Sequence, residues 1–543
     1  MCVPECSSHH RTRALTGPAG GARAEQPAGG EFQVNSYTTR IQSYAAVARG
    51  LNGDFVVVWM SLDQDGDDFG IFGQRFDASG NALGDEFRVN SYTTSRQSHP
   101  SVSMDPSGRF VIAWTSWGQV GPWEDIMGRR FDASGDPLGG ELQVNSFTTQ
   151  RQYRPDVASG PNGEFVIVWT GVVDTGTFEI RGRRYAADGT PLGEEFQANT
   201  YTTDRQTGGV VSVDGQGDFV VVWGSFSYSF DRTEIYAQRF DASGARRGGE
   251  FQVNAYTTDA QTTPTIASRR EGGFVVAWRS LGQDGSDSGV FGQRFDAAGD
   301  PIGDELQINA FTTGSQTNAE IAVDAGGGFV VTWNGENQDG SLMGVFAREF
   351  SPDGTPRGGE FQVNTYTTGD QELAAVGSDA DGDFVIAWQS RQDGNGDGIF
   401  AQRYAGPGLF LSASGSCPGL TEVTVLNGIP GTEVGIVAAA NVNGFTKGRL
   451  LCAGTRLEIG EPFQLPPVFL IWLVGLLSAN LAVINALPFP PMDGGRIAIA
   501  LVQAVSRNRL SPATERMVYL TGFVMLMALL VWVTAQDISR LVG

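Results

Sequence analysis

The sequence predicts a mainly β protein: a seven-bladed β-propeller, then a small β-sandwich-like bridge, then two transmembrane α-helices. Three observations predict this fold: a tryptophan-bearing unit occurs seven times, each unit carries four strand-like pieces, and two long uncharged runs follow the repeats. The expected division is a disordered N-terminus at 1–30, the propeller at 31–404, the bridge at 405–464 and a membrane module at 465–543.

The repeat is marked by one tryptophan in each unit, at intervals of 54 or 55 residues. The seven tryptophans are Trp59, Trp114, Trp169, Trp223, Trp278, Trp333 and Trp388. Each ends a short run rich in β-branched residues, such as 55–59, with a glycine two positions before the run. This pattern predicts a strand that is buried on both faces and entered through a tight turn.

Three more strand-like pieces surround that strand in every unit. They are an alternating stretch such as 31–35, a short piece such as 45–48 and a piece ending at 74–76, which leads into a polar turn at 77–80. Four strands make one blade, and repeats of this kind are typical of β-propellers with four to eight blades.

The ends of the array predict that the blades close into a ring. The array opens with the strand at 31–35 and stops after 402–404 without a further copy of that strand. The first strand can therefore complete the last blade, with 32–35 pairing against 400–404, which leaves no open sheet edge. The alternative is a linear array or solenoid, which would leave the leading strand unpaired.

Composition and charge exclude one class of function. The chain has 543 residues, with 37 Lys and Arg against 60 Asp and Glu, for a net charge of −23. This excludes nucleic-acid binding through bulk basicity. From Leu465 onward five arginines face three acidic residues, which indicates that two physically different modules join near that point.

Asn, a Thr-Thr pair and Gln recur in all seven units. A single active site needs asymmetry, so these groups are predicted to make turn and inter-blade hydrogen bonds, and the tryptophans are predicted to fill the core. The asparagines are Asn35, Asn90, Asn145, Asn199, Asn254, Asn309 and Asn364, and the glutamines are Gln42, Gln97, Gln152, Gln206, Gln261, Gln316 and Gln371.

Acidic loops follow the buried strand in several units. Carboxylates at alternate positions around a glycine can supply hard oxygen ligands to calcium, although Asp and Gly also simply form turns. The candidate calcium ligands are Asp63, Asp65, Asp67, Asp393 and Asp397.

Hydrolase chemistry is not evident in the repeats, because the chain has three histidines and no Gly-x-Ser-x-Gly elbow. A binding or adhesive surface for an extracellular protein or glycan is therefore the expected function of the propeller. In the bridge, Cys417 and Cys452 either form a disulfide in an oxidising compartment or remain buried thiols.

Two uncharged runs, 468–487 and 518–535, are each long enough to span a bilayer as a helix. Four arginines lie between them and one follows. The positive-inside rule therefore predicts a cytoplasmic loop between the spans, with the propeller on the extracytoplasmic side.

A carboxylate and several helix-breaking residues lie between the spans. At membrane depth such groups are energetically costly unless they line a protected site, so this stretch is predicted to be functional. The residues of this stretch are Asn485, Pro488, Pro490, Met492, Asp493, Gly494 and Gly495. The stretch resembles the Asn-x-x-Pro-x-Pro-x-Leu-Asp-Gly motif of the site-2 protease family of intramembrane zinc metalloproteases, with Met492 in place of Leu. The resemblance covers about 465–543.

The resemblance implies that Asp493 is a zinc ligand, while in the family a His-Glu-x-x-His helix supplies two histidine ligands and the water-activating Glu. This chain has no His-Glu-x-x-His and no histidine after His99, so the zinc site is expected to be incomplete. The repeats at 31–404 also resemble arrays in bacterial secreted and surface proteins, which implies extracellular placement. Together with the two predicted spans, this predicts a bacterial membrane location with the propeller on the extracytoplasmic side.

Three hypotheses remain open: a membrane-tethered binding propeller with an incomplete protease tail, an intramembrane protease whose first half comes from another chain, and a mis-joined gene.

Overall fold

The computed structural model describes residues 27–173, 176–227 and 232–406, together with the backbone of three later strands. Strands are numbered in chain order. The first fourteen are β1 (Phe32–Gln33), β2 (Gln42–Arg49), β3 (Phe55–Leu62), β4 (Phe69–Phe76), β5 (Phe87–Arg88), β6 (Gln97–Met104), β7 (Phe110–Trp117), β8 (Glu124–Phe131), β9 (Leu142–Gln143), β10 (Gln152–Ser159), β11 (Phe165–Val172), β12 (Phe178–Tyr185), β13 (Phe196–Gln197) and β14 (Arg205–Val213). The others are β15 (Phe219–Ser227), β16 (Arg232–Phe240), β17 (Arg246–Gln252), β18 (Gln261–Ser268), β19 (Phe274–Leu281), β20 (Ser288–Phe295), β21 (Pro301–Gln307), β22 (Gln316–Val323), β23 (Phe329–Glu336), β24 (Met343–Phe350), β25 (Phe361–Gln362), β26 (Gln371–Ser378), β27 (Phe384–Ser390), β28 (Gly398–Tyr404), β29 (Leu409–Gly415), β30 (Leu420–Leu426) and β31 (Arg456–Ile459).

The first 28 strands form seven four-stranded antiparallel sheets, which confirms the seven-bladed propeller. Blades 1 to 6 each use four consecutive strands, beginning with β2–β5 and ending with β22–β25. The first strands of neighbouring blades contact one another. They are therefore the inner strands around the central channel, and the fourth strand of each blade is the outer one.

Blade 7 closes the ring as predicted, because its outer strand comes from the start of the array. Its strand order is β1-β28-β27-β26, with Phe32 opposite Ala401 and Gln33 opposite Phe400. The amide of Val34 donates to the carbonyl of Ile399 at 2.8 Å. This pairing excludes the linear array.

The buried strand of each unit is longer than the apolar run that predicted it. In blade 1 it runs from Phe55 to Leu62, and all of its residues but the last are buried. The two phenyl rings of Phe55 and Phe76 stack at 4.9 Å across the β3–β4 pair, and an equivalent stack recurs in the other six blades. Such pairs add stability beyond their buried area.

The inner strands also extend beyond the predicted short piece, and each contains a β-bulge. In blade 1 the register shifts between Ser43 and Ala46, and Tyr44 takes a positive φ of 55°. The same position is left-handed in every blade, at Tyr44, His99, Arg154, Gly208, Thr263, Asn318 and Leu373. A bulge bends the strand and re-aims the side chain at that position.

The outer strand of blade 7 is shorter than predicted. The sequence predicts that 32–35 pair with 400–404, but in blade 7 the ladder covers Phe32 and Gln33. The side chains of Glu31 and Asn35 instead bond backbone amides, Glu31 at Thr365 and Asn35 at Ile399.

The core consists of hydrophobic clusters at the junctions between blades. One cluster joins Val34, Trp59 and Val385, so it lies where blade 7 meets blade 1. The other six clusters occupy the remaining blade junctions. All seven tryptophans are fully buried, in agreement with their predicted core role.

Beyond the propeller, β29 pairs with both β30 and β31 in an antiparallel sheet. The described part of the bridge is thus one three-stranded sheet, where a sandwich of two sheets was expected. The chain divides into two compact units, Met1–Gly460 and Glu461–Gly543. The N-terminal 26 residues, both cysteines of the bridge and both predicted membrane spans lie outside the described residues.

Candidate functional site

The recurrent asparagines hold the crossovers between blades, as the sequence predicted. In each repeat the Asn side-chain oxygen accepts a backbone amide at 2.6–2.9 Å, for example from Ile71 to Asn90. The Asn amide nitrogen donates to the carbonyl two residues further on, at 2.8–3.0 Å. These groups are structural.

A second recurrent contact, which the sequence patterns did not assign, is made by the glutamate directly before the Phe or Leu of each outer strand. Its carboxylate accepts the backbone amide of the residue after the Asn in the preceding repeat. The pairs are Ser36 with Glu86, Ser91 with Glu141, Ser146 with Glu195, Thr200 with Glu250, Ala255 with Glu305, Ala310 with Glu360 and Thr365 with Glu31. We call this contact the glutamate latch. Its sequence signal was a glutamate common to all seven units.

In the acidic loop of blade 1, the carboxylates of Asp63, Asp65 and Asp67 all contact other residues of the propeller. Asp63 pairs with Arg40 at 2.8 Å, and Asp67 accepts the backbone amide of Ser95 at 3.0 Å. Asp65 accepts the side-chain amide of Asn90 at 3.0 Å, and burial raises the pKa of its carboxyl. The loop therefore makes ion-pair and turn contacts of its own.

The acidic loop of blade 7 is committed in the same way. Asp393 accepts the side-chain amide of Gln33 at 3.3 Å, and Asp397 pairs with Arg391 at 2.9 Å. Within the described residues, no group of three or more His, Cys, Asp or Glu side chains is arranged to hold a metal ion. Calcium binding at these loops thus gains no support from the structure.

One face of the propeller carries a cavity of about 740 Å³ spanning blades 1 to 4. It is formed where the loops joining second and third strands meet the crossovers that enter the inner strands. Its charged and aromatic lining residues are Asp68, Arg96, His99, Trp117, Glu124, Arg151, Tyr153, Arg154, Phe178 and Arg205. This volume is within the range of small-molecule sites in proteins.

Two of the cavity arginines, Arg96 and Arg205, stack on the faces of phenylalanine rings. The Arg205 guanidinium lies 3.9 Å from the centre of the Phe178 ring, and that of Arg96 lies 5.2 Å from the centre of the Phe69 ring. Stacking on an aromatic face orients a guanidinium while leaving its N–H donors available. Arg151, in contrast, is paired with Glu124 through two bonds of 2.7 and 2.8 Å.

His99 lines the cavity and is largely desolvated there. Its ring packs edge-on against Tyr44, with ring centres 4.8 Å apart. Burial, with a further contribution from the positive charges of Arg154 and Arg96, lowers the pKa of His99 to about 4. The imidazole is therefore neutral at physiological pH, and the cavity disfavours additional positive charge.

A second polar site lies in the central channel, where the inner strands place two carboxylates. Asp156 accepts a bond from the Ser101 hydroxyl at 2.7 Å, and Glu320 accepts one from the Thr265 hydroxyl at 3.0 Å. The Glu320 side chain is open to the water of the channel, but desolvation by the enclosing inner strands raises its pKa to about 7, and the negative charge of Asp156 acts in the same direction. Both bonds join neighbouring inner strands and so contribute to the scaffold.

The cavity arginines were not identified from sequence, although the signal was present. Aligned on the residue before the recurrent Gln, the seven repeats read Ile41, Arg96, Arg151, Arg205, Ala260, Ser315 and Asp370. Arginine occupies this position in three successive repeats. Because the other four repeats carry different residues at this position, it is not part of the pattern that defines the repeat.

The predicted zinc ligand Asp493, the supporting motif residues Asn485, Pro488, Pro490, Gly494 and Gly495, and Cys417 and Cys452 all lie outside the described residues. In the part of the chain that the structure describes, no helix has the length and apolar character needed to cross a membrane.

Comparison with known proteins supports the resemblance of the C-terminal segment. Residues 454–529 match the model of Peptidase family M50, the site-2 protease family. Zinc metalloprotease RasP of Oceanobacillus iheyensis is 41% identical over 73 residues, covering 13% of this chain and 17% of that protein. Zinc metalloprotease RasP of Shouchella clausii is 39% identical over 71 residues, with the same shares. The chain thus spans about a sixth of the length of these curated relatives.

Among solved structures, a protein of unknown function from Dyadobacter fermentans aligns with a TM-score of 0.44 and 12% identity, over 70% of this chain and 99% of that one. The α-L-arabinanase of Penicillium chrysogenum, solved with arabinobiose, aligns with a TM-score of 0.40 and 16% identity, over 56% and 94% of the two chains. Neither likeness is strong enough to support a functional argument.

Proposed function

We propose that this protein is a ligand-binding β-propeller held at a bacterial membrane by its C-terminal segment, with the propeller on the extracytoplasmic side. The observation that carries the binding role is the cavity over blades 1 to 4. The polar groups shared by all repeats are used in the scaffold, whereas the cavity is lined at positions where the repeats differ. Asymmetry of this kind is what one binding site on a repeated scaffold requires.

Two sequence features support the membrane attachment. The uncharged runs 468–487 and 518–535 are long enough to span a bilayer. Residues 454–529, which contain the first run and the start of the second, match a family of intramembrane proteases. The arginines between the runs favour a cytoplasmic connecting loop.

Fractionation of bacterial cells tests the attachment. The full chain is expected in the membrane fraction after carbonate washing, whereas a chain ending at residue 464 is expected in the soluble fraction. Recovery of both forms in the same fraction would contradict the tether.

Surface labelling tests the orientation. An epitope inserted beside Leu51, which is 54% exposed in the β2–β3 hairpin, should bind antibody on cells whose outer barrier is opened but whose inner membrane is intact. Binding that requires lysis of the inner membrane would place the propeller in the cytoplasm.

Intramembrane proteolysis is the second candidate function, and the family match over 454–529 favours it. The family's zinc would supply a Lewis acid that activates water. The donor set of this sequence fits that role poorly. Asp493 is one carboxylate, whereas a catalytic zinc site needs three protein ligands, and of the three histidines His99 packs in the propeller cavity.

Metal analysis separates the two candidates. We expect the purified full chain to hold no stoichiometric zinc, and Asp493→Asn to leave its metal content unchanged. About one zinc per chain, lost in the Asn variant, would favour the protease. Continuous sequencing reads across codon 465 would argue against a mis-joined gene.

A further inference from the structure

The arginines of the cavity form a concentrated positive patch on an acidic protein. Arg96, Arg154 and Arg205 come from blades 2, 3 and 4 and line one cavity of about 740 Å³. The chain as a whole carries a net charge of −23. A local excess of positive charge against that background attracts anions selectively, because concave surfaces focus the field of their lining charges.

The charge of these three arginines is not neutralised by ion pairs among the described residues. Arg96 and Arg205 stack on phenyl rings, and Arg154 contacts its surroundings through its backbone amide, which bonds the Thr115 hydroxyl at 3.0 Å. All three side chains are exposed to solvent. Their N–H donors are therefore free to bind a ligand.

The other titratable groups that the structure describes in the lining do not cancel the patch. Arg151 and Glu124 neutralise each other, and His99 is neutral because its pKa is lowered to about 4. Asp68 also lines the cavity and contributes one negative charge. Among the described residues that line the cavity, three arginines against one carboxylate leave a net positive charge.

Aromatic rings lie beside the positive groups. Tyr153 packs edge-on against Phe178 with ring centres 6.5 Å apart, and Trp117 is 39% exposed at the rim of the cavity. A ligand suited to this lining combines a carboxylate, which matches the planar fork of a guanidinium, with a less polar face that packs on rings.

We propose that Arg96, Arg154 and Arg205 bind the carboxylate of an acidic sugar, whose ring packs against the neighbouring aromatic side chains. This inference rests on the proposed binding role of the propeller and names the ligand class of its cavity. A cavity of this volume accommodates a ligand of one or two sugar rings.

The test measures binding of digalacturonate to the full chain, purified in detergent, by calorimetry at low ionic strength. Digalacturonate is expected to bind, and galactobiose, which has no carboxylate, is not. Arg154→Gln combined with Arg205→Gln should weaken binding at least about tenfold, because hydrogen bonds to charged groups are the strong ones. Binding should also weaken as salt is added.

Matched variants separate loss of the ligand contact from loss of the fold. Arg154→Lys keeps the charge but loses the fork, so an intermediate affinity is expected. Arg270→Gln makes the same charge change at an exposed site in the β18–β19 hairpin, outside the cavity, and should leave affinity unchanged. Melting temperatures of all variants identify any that fail to fold.

The signals of His99 give a second readout. An anion beside Arg96 and Arg154 should raise the pKa of His99 from about 4, which is measurable by NMR of a histidine-labelled chain.

Several outcomes would overturn the inference. They are absence of digalacturonate binding at millimolar concentration, binding that the double variant leaves unchanged, and tighter binding of tetraglutamate, which would assign the cavity to acidic peptides. Citrate binding alone would assign it to small organic acids. Binding of tetraglutamate or citrate would overturn the acidic sugar but keep the binding role of the propeller. The membrane and surface tests are independent of any ligand, so the failures are distinguishable.

Discussion

At the scale of the residue, the seven core tryptophans are equivalent in position but not in bonding. The indole N–H groups of Trp169, Trp223 and Trp278 donate to the recurrent Gln at 2.8 Å. In the other four blades the indole nitrogen has no hydrogen-bond partner among the described residues. In those blades the Gln oxygen instead accepts from the recurrent Asn, for example Gln97 from Asn90.

This difference predicts unequal costs for the same substitution. Trp169→Phe and Trp114→Phe remove equally buried indoles, but the first also leaves the Gln152 oxygen without its donor, whereas the second removes an unpartnered N–H. We expect Trp169→Phe to lower the free energy of unfolding by roughly 1 kcal/mol more. Chemical denaturation measures both variants, and equal losses would mean that the indole bond contributes little.

At the scale of the element, the inner-strand bulge places a left-handed residue in every blade. Thr263 takes a φ of 48°, which is unfavourable for a β-branched residue, whereas Gly208 occupies the same position in blade 4 at 66°. A Cβ added at Gly208 would meet no atom within 4 Å. Any effect of substitution there is therefore a backbone effect.

Exchanging these residues tests the strain. Thr263→Gly should raise the free energy of unfolding by up to about 1 kcal/mol, because relief of the left-handed strain outweighs the added freedom of the unfolded chain. The reverse substitution, Gly208→Thr, is the control and should lower the free energy of unfolding. The same sign for both variants would contradict the argument.

The closing strand gives the second element-scale prediction. Val34→Pro and Val253→Pro each remove an amide that bonds a carbonyl at 2.8 Å, to Ile399 and Ile235 respectively. The first bond closes the whole ring, while the second spans a short stretch of chain. We expect Val34→Pro alone to expose residues 27–35 to limited proteolysis. Equal cleavage of the two variants at this segment would mean that the closing pair is not a weak point.

The sequence repeat predicted the strands well because the same pattern of apolar and turn residues occurs in all seven blades. Trp59 and its copies identified the buried strand, and the missing last copy of 31–35 identified the closure. The bulge at Tyr44 could not be predicted, since the left-handed residues differ in type from blade to blade. The Arg96 cavity was missed because blades distant in sequence assemble it at a position where the repeats diverge.

At the scale of the whole molecule, the central channel links stability to pH. Glu320 lines the channel with a water-exposed side chain, and desolvation by the surrounding strands raises its pKa to about 7. The same effect raises the pKa of Asp156, whose charge adds to the shift of Glu320. A raised pKa in the folded state means that Glu320 contributes stability below its unfolded value of 4.5, and that this contribution is lost as pH rises through about 7.

Glu320→Gln should therefore raise the melting temperature above pH 7 and change it little near pH 4. The amide can still accept the Thr265 hydroxyl, so the blade contact is retained. Glu271, in the β18–β19 hairpin, provides the control substitution. A Glu320→Gln variant with the same pH profile as the parent protein would show that the channel carboxyl titrates normally.

The glutamate latch has a consequence for how the ring can be cut. Thr365 and Glu31 are joined by the same bond that joins Ser36 to Glu86, although 334 residues separate the first pair and 50 the second. Pro27 and Tyr404, at the two ends of the propeller, already form a β-bridge. A short peptide could therefore join Tyr404 to Pro27. A circular permutant that is joined at this position and opened in another connection between blades would retain all seven glutamate latches. The propeller would therefore close in the same way with its termini in a different blade.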